Sequence, residues 1–197
     1  MALKKEVQSH ECGIGKGFAS FHASSMRNII PAFALCLIAG CASDVRVPIQ
    51  PYKVDGATLA RVTVNDRRTP GVAASKRDAA FGTPMGNITF DPPEAQLVKS
   101  VLEAELTKAL RAKGAQAARD FSCDLVEFGV NTNTTALYWD VVARVHVVVK
   151  SGGAETPLLG THTVRTFVWP GEDIIRTVVD ESLRQVAADV PRAAGAF

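Results

Sequence analysis

The chain has 197 residues, 47% of them hydrophobic and 21% charged, which leaves room for one ordinary globular domain. Its formal net charge is +2, and Lys4, Lys5, Lys16 and Arg27 against Glu6 and Glu11 account for all of it. Beyond residue 40 the chain is neutral, so no electrostatic argument makes nucleic acid or an anionic surface its main ligand.

Residues 1–25 show no helical or strand period, and His10, Cys12 and His22 match no usual zinc spacing. They read as a mis-assigned or disordered extension, with translation starting at Met26. Residues 26–40 read as a signal peptide: Arg27 supplies the positive start, and Ile29 to Ile38 is an apolar run interrupted by Pro31. A membrane-spanning helix needs roughly 20 apolar residues, about twice this length. The run ends Leu37-Ile38-Ala39-Gly40-Cys41, small residues followed by a thiol. This resembles the lipobox of bacterial lipoproteins. The resemblance implies cleavage between Gly40 and Cys41, a diacylglyceryl group on the Cys41 sulfur and an N-acyl chain on its new amine. No other cofactor is expected. Ala42 after the cysteine, where an aspartate would favour the inner membrane, points to the periplasmic face of the outer membrane.

Residues 41–56, with Pro48, Pro51 and Gly56, read as a lipidated tether some tens of ångströms long at about 3.3–3.6 Å per residue. A strand follows over Thr58 to Val64, alternating Ala60, Val62 and Val64 against Leu59, Arg61 and Thr63. Asn65 to Pro84 reads as a long polar loop and Asn87 to Phe90 as a short edge strand. A helix then opens at Asp91 or Pro92, its stripe running Leu97, Val98, Val101, Leu102, Leu106, Ala109 and Leu110, and stops at Lys113-Gly114. Asp124 to Asn131, with Val126, Phe128 and Val130 on one side, and Trp139 to Val149 read as half-buried strands. Ser151 to Glu155 is a hairpin turn and Leu158 to Trp169 the return strand. A second helix spans about Asp173 to Asp189 with Ile174, Ile175, Val178, Val179, Leu183 and Val186 on its stripe; Pro191 ends it, and 191–197 form a flexible tail. The expected class is α+β: a two-layer sandwich, mainly antiparallel, of about four strands with two amphipathic helices on one face.

Taken together, the lipobox at Cys41, the strand ATLARVTVNDRR, the helix LVKSVLEAELTKALRAKGAQ, the strand-rich middle and the closing helix IIRTVVDESLRQVAADV resemble the YajG family of bacterial lipoproteins over residues 57–190. Asp66 with Arg68, and Leu110 with Gly114, match the family pattern. The resemblance implies an α+β periplasmic domain anchored to the outer membrane and brings no catalytic residues.

Four residues stand out as possible partner or ligand contacts: Asp66 and Arg68 at a strand end, and Tyr138 and Trp169, which with Trp139 and Phe167 could line a groove. The competing readings are a turn-closing salt bridge and core packing. His146, His162 and Asp140 make a weak metal set, and no metal is expected. Cys123 lacks the surroundings of a nucleophile and reads as a buried structural thiol. The expected role is non-catalytic: a lipid-anchored accessory module binding another envelope protein. The alternative is a binder of lipid, glycan or peptidoglycan fragments in a groove between helix and sheet.

Overall fold

The computed structural model describes residues 44–69, 75–78, 82–135 and 137–195, all within the compact unit Gly40–Phe197. The expected lipobox, with Gly40 and Cys41, lies outside the described residues, as does everything else expected of residues 1–43. Seven strands and two helices occur among the described residues: β1 (Val45–Pro48), β2 (Ala60–Asp66), β3 (Lys76–Asp78), β4 (Pro84–Asp91), α1 (Glu94–Ala112), β5 (Arg119–Thr134), β6 (Trp139–Ser151), β7 (Ala154–Thr166) and α2 (Glu172–Gly195).

The sheet order is β1-β4-β3-β5-β6-β7, and β2 joins the same edge of β5 that β3 uses further along. It is larger than the four strands expected, and it is mixed. β1 lies parallel to β4, and both β2 and β3 lie parallel to β5; the β3–β4, β5–β6 and β6–β7 pairs are antiparallel. Pairing direction is set by long connections, here the whole of α1 between β4 and β5, and hydrophobic alternation does not encode it.

The long hairpin β5–β6–β7 is the most regular part. Val141, Ala143, Val145, Val147 and Val149 of β6 are buried under the helices, while alternate residues face the other way. Gly152 and Gly153 take positive φ and close the β6–β7 turn in two residues, so β7 starts at Ala154 rather than Leu158 and ends at Thr166 rather than Trp169. In β5 the alternation changes phase: Phe121, Cys123 and Leu125 are buried, then Phe128 and Val130. A bulge between Leu125 and Glu127 inserts one residue, and it turns Val126 out to 40% exposure, away from the core face expected for it.

α1 buries the expected stripe, with Ala109 only half-buried, and packs on β2 and α2. It starts at Glu94 and closes with Gly114 at positive φ: Ala115 N donates to Leu110 O and Gly114 N to Arg111 O, a Schellman stop. Thr107 Oγ1 accepts from the amides of Leu59 and Ala60, and Glu103 Oε1 from Val62 N, so α1 side chains occupy the amide side of β2. α2 buries Ile175, Val178, Val179, Leu183 and Val186 against β6 and β7 and continues through Pro191, which does not end it. At Gly160 of β7 the helix comes so close that an added Cβ would lie 1.9 Å from Ser182 O. Two helices therefore cover one face of the sheet, as the two-layer expectation had it.

Two segments expected outside the core belong to it. Val47 and Ile49, in the supposed tether, are buried, and Arg176 Nε of α2 donates to Pro48 O. Within the supposed polar loop, β3 bridges β4 and β5, and Ser75 Oγ and Thr132 Oγ1 accept from Val130 N and Asp78 N. Among the described residues no helix is long and apolar enough to cross a membrane.

Candidate functional site

One end of the hairpin, where β5 ends, β6 begins, β7 ends and α2 begins, gathers apolar residues in water. Of the six large hydrophobic residues exposed among the described residues, four are here: Leu137 (78%), Phe167 (72%), Val168 (66%) and Trp169 (39%). Tyr138 and Trp139 lie between them. The Tyr138 and Phe167 rings meet edge-on at 6.2 Å, those of Trp139 and Trp169 at 5.9 Å. Both pairs have the perpendicular geometry that aromatic quadrupoles favour. Two guanidinium groups cover the cluster: Arg165 lies 4.0 Å from the Tyr138 centroid and Arg77 lies 5.4 Å from that of Trp169.

The two loops that present these residues are held by threonines. Thr135 Oγ1 accepts from the amides of Leu137 and Tyr138 and donates to Tyr138 O. Thr166 Oγ1 accepts from Val168 N and donates to Val168 O. The hydroxyls substitute for water at the loop backbone and hold the turns that present the apolar residues. Arg165 is also held, by a two-point pair with Asp140 at 2.8 and 3.1 Å that pulls the Asp140 carboxyl below its usual range.

Of the residues singled out in the sequence, Tyr138 and Trp169 meet here, with Trp139 and Phe167. Asp66 and Arg68 are elsewhere: Asp66 ends β2 and Arg68 follows two residues later. Arg68 Nη2 lies 2.6 Å from Asp66 Oδ2, its Nε and backbone N both donate to Asp66 Oδ1, and Glu94 is 3.7 Å away. That hydrogen bonding holds the Asp66 carboxyl below its ordinary value and occupies the guanidinium. The pair closes a turn.

His146 and His162 are on opposite faces of the sheet: His146 lies opposite Leu159, and His162 opposite Ala143 on the helix side. Asp140 is occupied by Arg165. Cys123 is fully buried, and burial, with the Asp124 charge behind it, pushes its thiol from about 9 to about 12.

The helix–sheet interface is packed closed. Leu158, Val178, Val179, Leu183 and Val186 are inaccessible, and Gly160 touches α2 backbone. Among the described residues a recess of about 560 Å³ opens outward between Pro48–Pro51 and Arg176 and Asp180 of α2. The sequence showed the four aromatics of this patch as the lining of a groove, without Leu137 and Val168. What it lacked was the register, which places residue 139 beside residue 166.

No family model matches the chain, and no curated protein matches it. Among solved structures, one of an uncharacterized protein shares 11% identity over 78% of this chain and 96% of its own, with a TM-score of 0.35. A Xanthomonas campestris protein of the DUF330 family shares 12% over 77% and 94%, with a TM-score of 0.40. A Caulobacter crescentus CB15 protein, provisionally assigned as a lipoprotein, shares 14% over 51% and 85%, with a TM-score of 0.32. Likeness at this level carries no argument about what the chain does.

Proposed function

We propose that this chain is an envelope lipoprotein of YajG-like type, anchored through acylated Cys41 at the periplasmic face of the outer membrane, whose folded domain is a non-catalytic docking module for another envelope protein. The anchor rests on the order of Arg27, the apolar run, Ala39, Gly40 and Cys41. The non-catalytic reading is supported by how the candidate groups are used: Cys123 is sealed and protonated, Asp66 is spent on Arg68, and the two histidines are separated by the sheet.

One observation carries the docking role. The helices cover one face of the sheet, and on the opposite face Leu159 of β7 and the bulged Val126 of β5 stand 57% and 40% exposed on either side of half-buried His146 of β6, with half-buried Val148 two residues further along that strand. Across three strands that row spans about 10 Å. Pairing on the free β7 edge is impeded, because Gln185 Oε1 of α2 already accepts from Thr161 N and Pro157 has no amide hydrogen. A partner therefore meets the face. The helix–sheet groove that the alternative reading needs has no room beside Gly160.

A photo-crosslinking residue at Leu159, in intact cells making the anchored protein, is expected to trap one discrete protein, and Val126→Asp to abolish that adduct. A smear of abundant neighbours, unchanged by Val126→Asp, would remove the docking role.

A further inference from the structure

The structure leaves almost no tether. β1 opens at Val45, and Asp44 is already engaged, its Oδ1 accepting from Asn87 N at 2.8 Å. Three residue steps separate Asp44 from Cys41, a reach of roughly 11 Å at most. A domain held so closely rests against the membrane, and the end that carries Asp44 decides which surface meets lipid.

The strand register settles which end that is. β5 runs towards the aromatic end and finishes at Thr134. β3 is parallel to it, with Lys76 beside Asn131; β4 is antiparallel to β3, with Asn87 beside Lys76; β1 is parallel to β4, with Val45 beside Ile88. β1 therefore runs away from the aromatic end, and its first residue is the one nearest to it. Asp44 is level with Asn87 and hence with Asn131, Val142 and Thr163. The row Thr134, Trp139, Thr166 lies three residues further, about 10 Å along the strands. Arg77 links the two places: the Asp44 charge reaches it, and its guanidinium lies over Trp169.

We propose that this aromatic end docks on the bilayer that holds the anchor. Leu137, Phe167, Val168 and Trp169 enter the boundary between headgroups and acyl chains, with Tyr138 and Arg165 at headgroup level. The proposal rests on the acylated Cys41 of the preceding section. Four large apolar side chains presented to water favour transfer to a less polar medium, and the threonine hydroxyls that bond both loop backbones lessen the ordering that docking has to supply. Tyrosine and tryptophan are the side chains that interfaces favour, and Arg165, half exposed and stacked on Tyr138, can keep its charged tip among phosphates. The outer sheet face used for the protein partner is a separate surface. A second copy of the chain, or another protein on the patch, would have to fit inside the same short gap.

Both tryptophans of the chain belong to this end, so intrinsic fluorescence reads it directly. The full acylated protein is placed in vesicles of phosphatidylethanolamine with a minority of phosphatidylglycerol, in the Trp139→Phe background so that Trp169 alone emits. Docking gives Trp169 emission shifted to the blue, strong quenching by acyl chains brominated near the headgroup, and weak quenching by acrylamide in the water. Leu137→Asp with Val168→Asp then reduces lipid quenching several-fold, without altering acylation or the unfolding temperature, because both side chains are solvent-exposed. An acylated, vesicle-bound protein whose Trp169 stays open to acrylamide and blind to brominated lipid overturns docking and leaves the anchor standing. An unmodified Cys41 takes down the anchor and docking together. Protection of Trp169 that rises with protein concentration and needs no vesicles assigns the patch to a second copy and overturns the proposal.

Discussion

Gly160→Ala tests the packing of α2 on the sheet. Gly160 is paired with Val145 in the middle of β7, and neither this glycine nor Gly129 of β5 sits in the left-handed region, so alanine is conformationally acceptable at both. At Gly160 the new Cβ would lie 1.9 Å from Ser182 O and 2.8 Å from Ser182 C, both of them helix backbone that no rotamer change can move aside. Relief requires α2 to back away by at least ~1 Å, and a gap of that size forfeits a quarter to a half of each dispersion contact it opens. The contacts at risk are those of Val178, Val179, Leu183 and Val186, all fully buried or within 1% of it. Overpacking usually costs about 1–3 kcal/mol, and backbone resistance puts this case at about 3 or above. For a domain of this size that lowers the thermal midpoint by about 6–12 °C. Urea unfolding of the two glycine variants is the assay. Gly129→Ala, with nothing within 4 Å of its added carbon, is the control and should stay within about 0.5 kcal/mol of the parent. A Gly160→Ala protein within about 1 kcal/mol of the parent, with unchanged denaturant slope, would refute the close approach.

Two further outcomes follow from the same geometry. Thr107→Val, nearly isosteric, strips the acceptor from the amides of Leu59 and Ala60; stability should fall by about 2–3 kcal/mol in the urea assay, and a loss under about 0.5 would mean water replaces the hydroxyl. Cys123, with its folded pKa raised to about 12, is a neutral thiol while the unfolded thiol ionises near 9. Its contribution is therefore intact below about pH 9 and is lost as pH rises from there towards 12, by at most ~1.4 kcal/mol per pH unit. A Cys123→Ala protein should lack that part of the alkaline decline, and native protein should label with thiol reagents only on the timescale of unfolding; immediate labelling at neutral pH would contradict it.

Much of the core could be read from the chain because its period is local. The six-residue valine-rich alternation of β6 and the stripes of α1 and α2 declare their buried faces without reference to anything else. β1 could not be read that way: VRVP is four residues among prolines, and only its pairing with β4 makes it a strand. β3 is Lys-Arg-Asp, with no apolar side chain, and it exists because β4 and β5 offer backbone partners on both sides. Val126 fits a simple alternation with Phe128, and one inserted residue reverses it. Pro191 is itself exposed, between buried Val190 and Ala193 in the last turns of α2, where its fixed φ is compatible with the helix and its missing amide forgoes one hydrogen bond. At the candidate site, the aromatic residues and their nearness could be read from the chain, but the pairing of Tyr138 with Phe167 and of Trp139 with Trp169, and the exposure of Leu137 and Val168 beside them, depend on the register of two long strands. The place of residues 45–48 in the sheet was hidden for the same reason: it depends on the pairing of β1 with β4.

The central claim is that this domain hangs from a bilayer by the Cys41 sulfur, with the aromatic end against the lipid. Intact-mass and N-terminal peptide analysis of the protein extracted from membranes tests it most directly. The account predicts a chain beginning at Cys41 and carrying diacylglyceryl and N-acyl groups. A chain that keeps residues 1–40, with the Cys41 sulfur free, would contradict it.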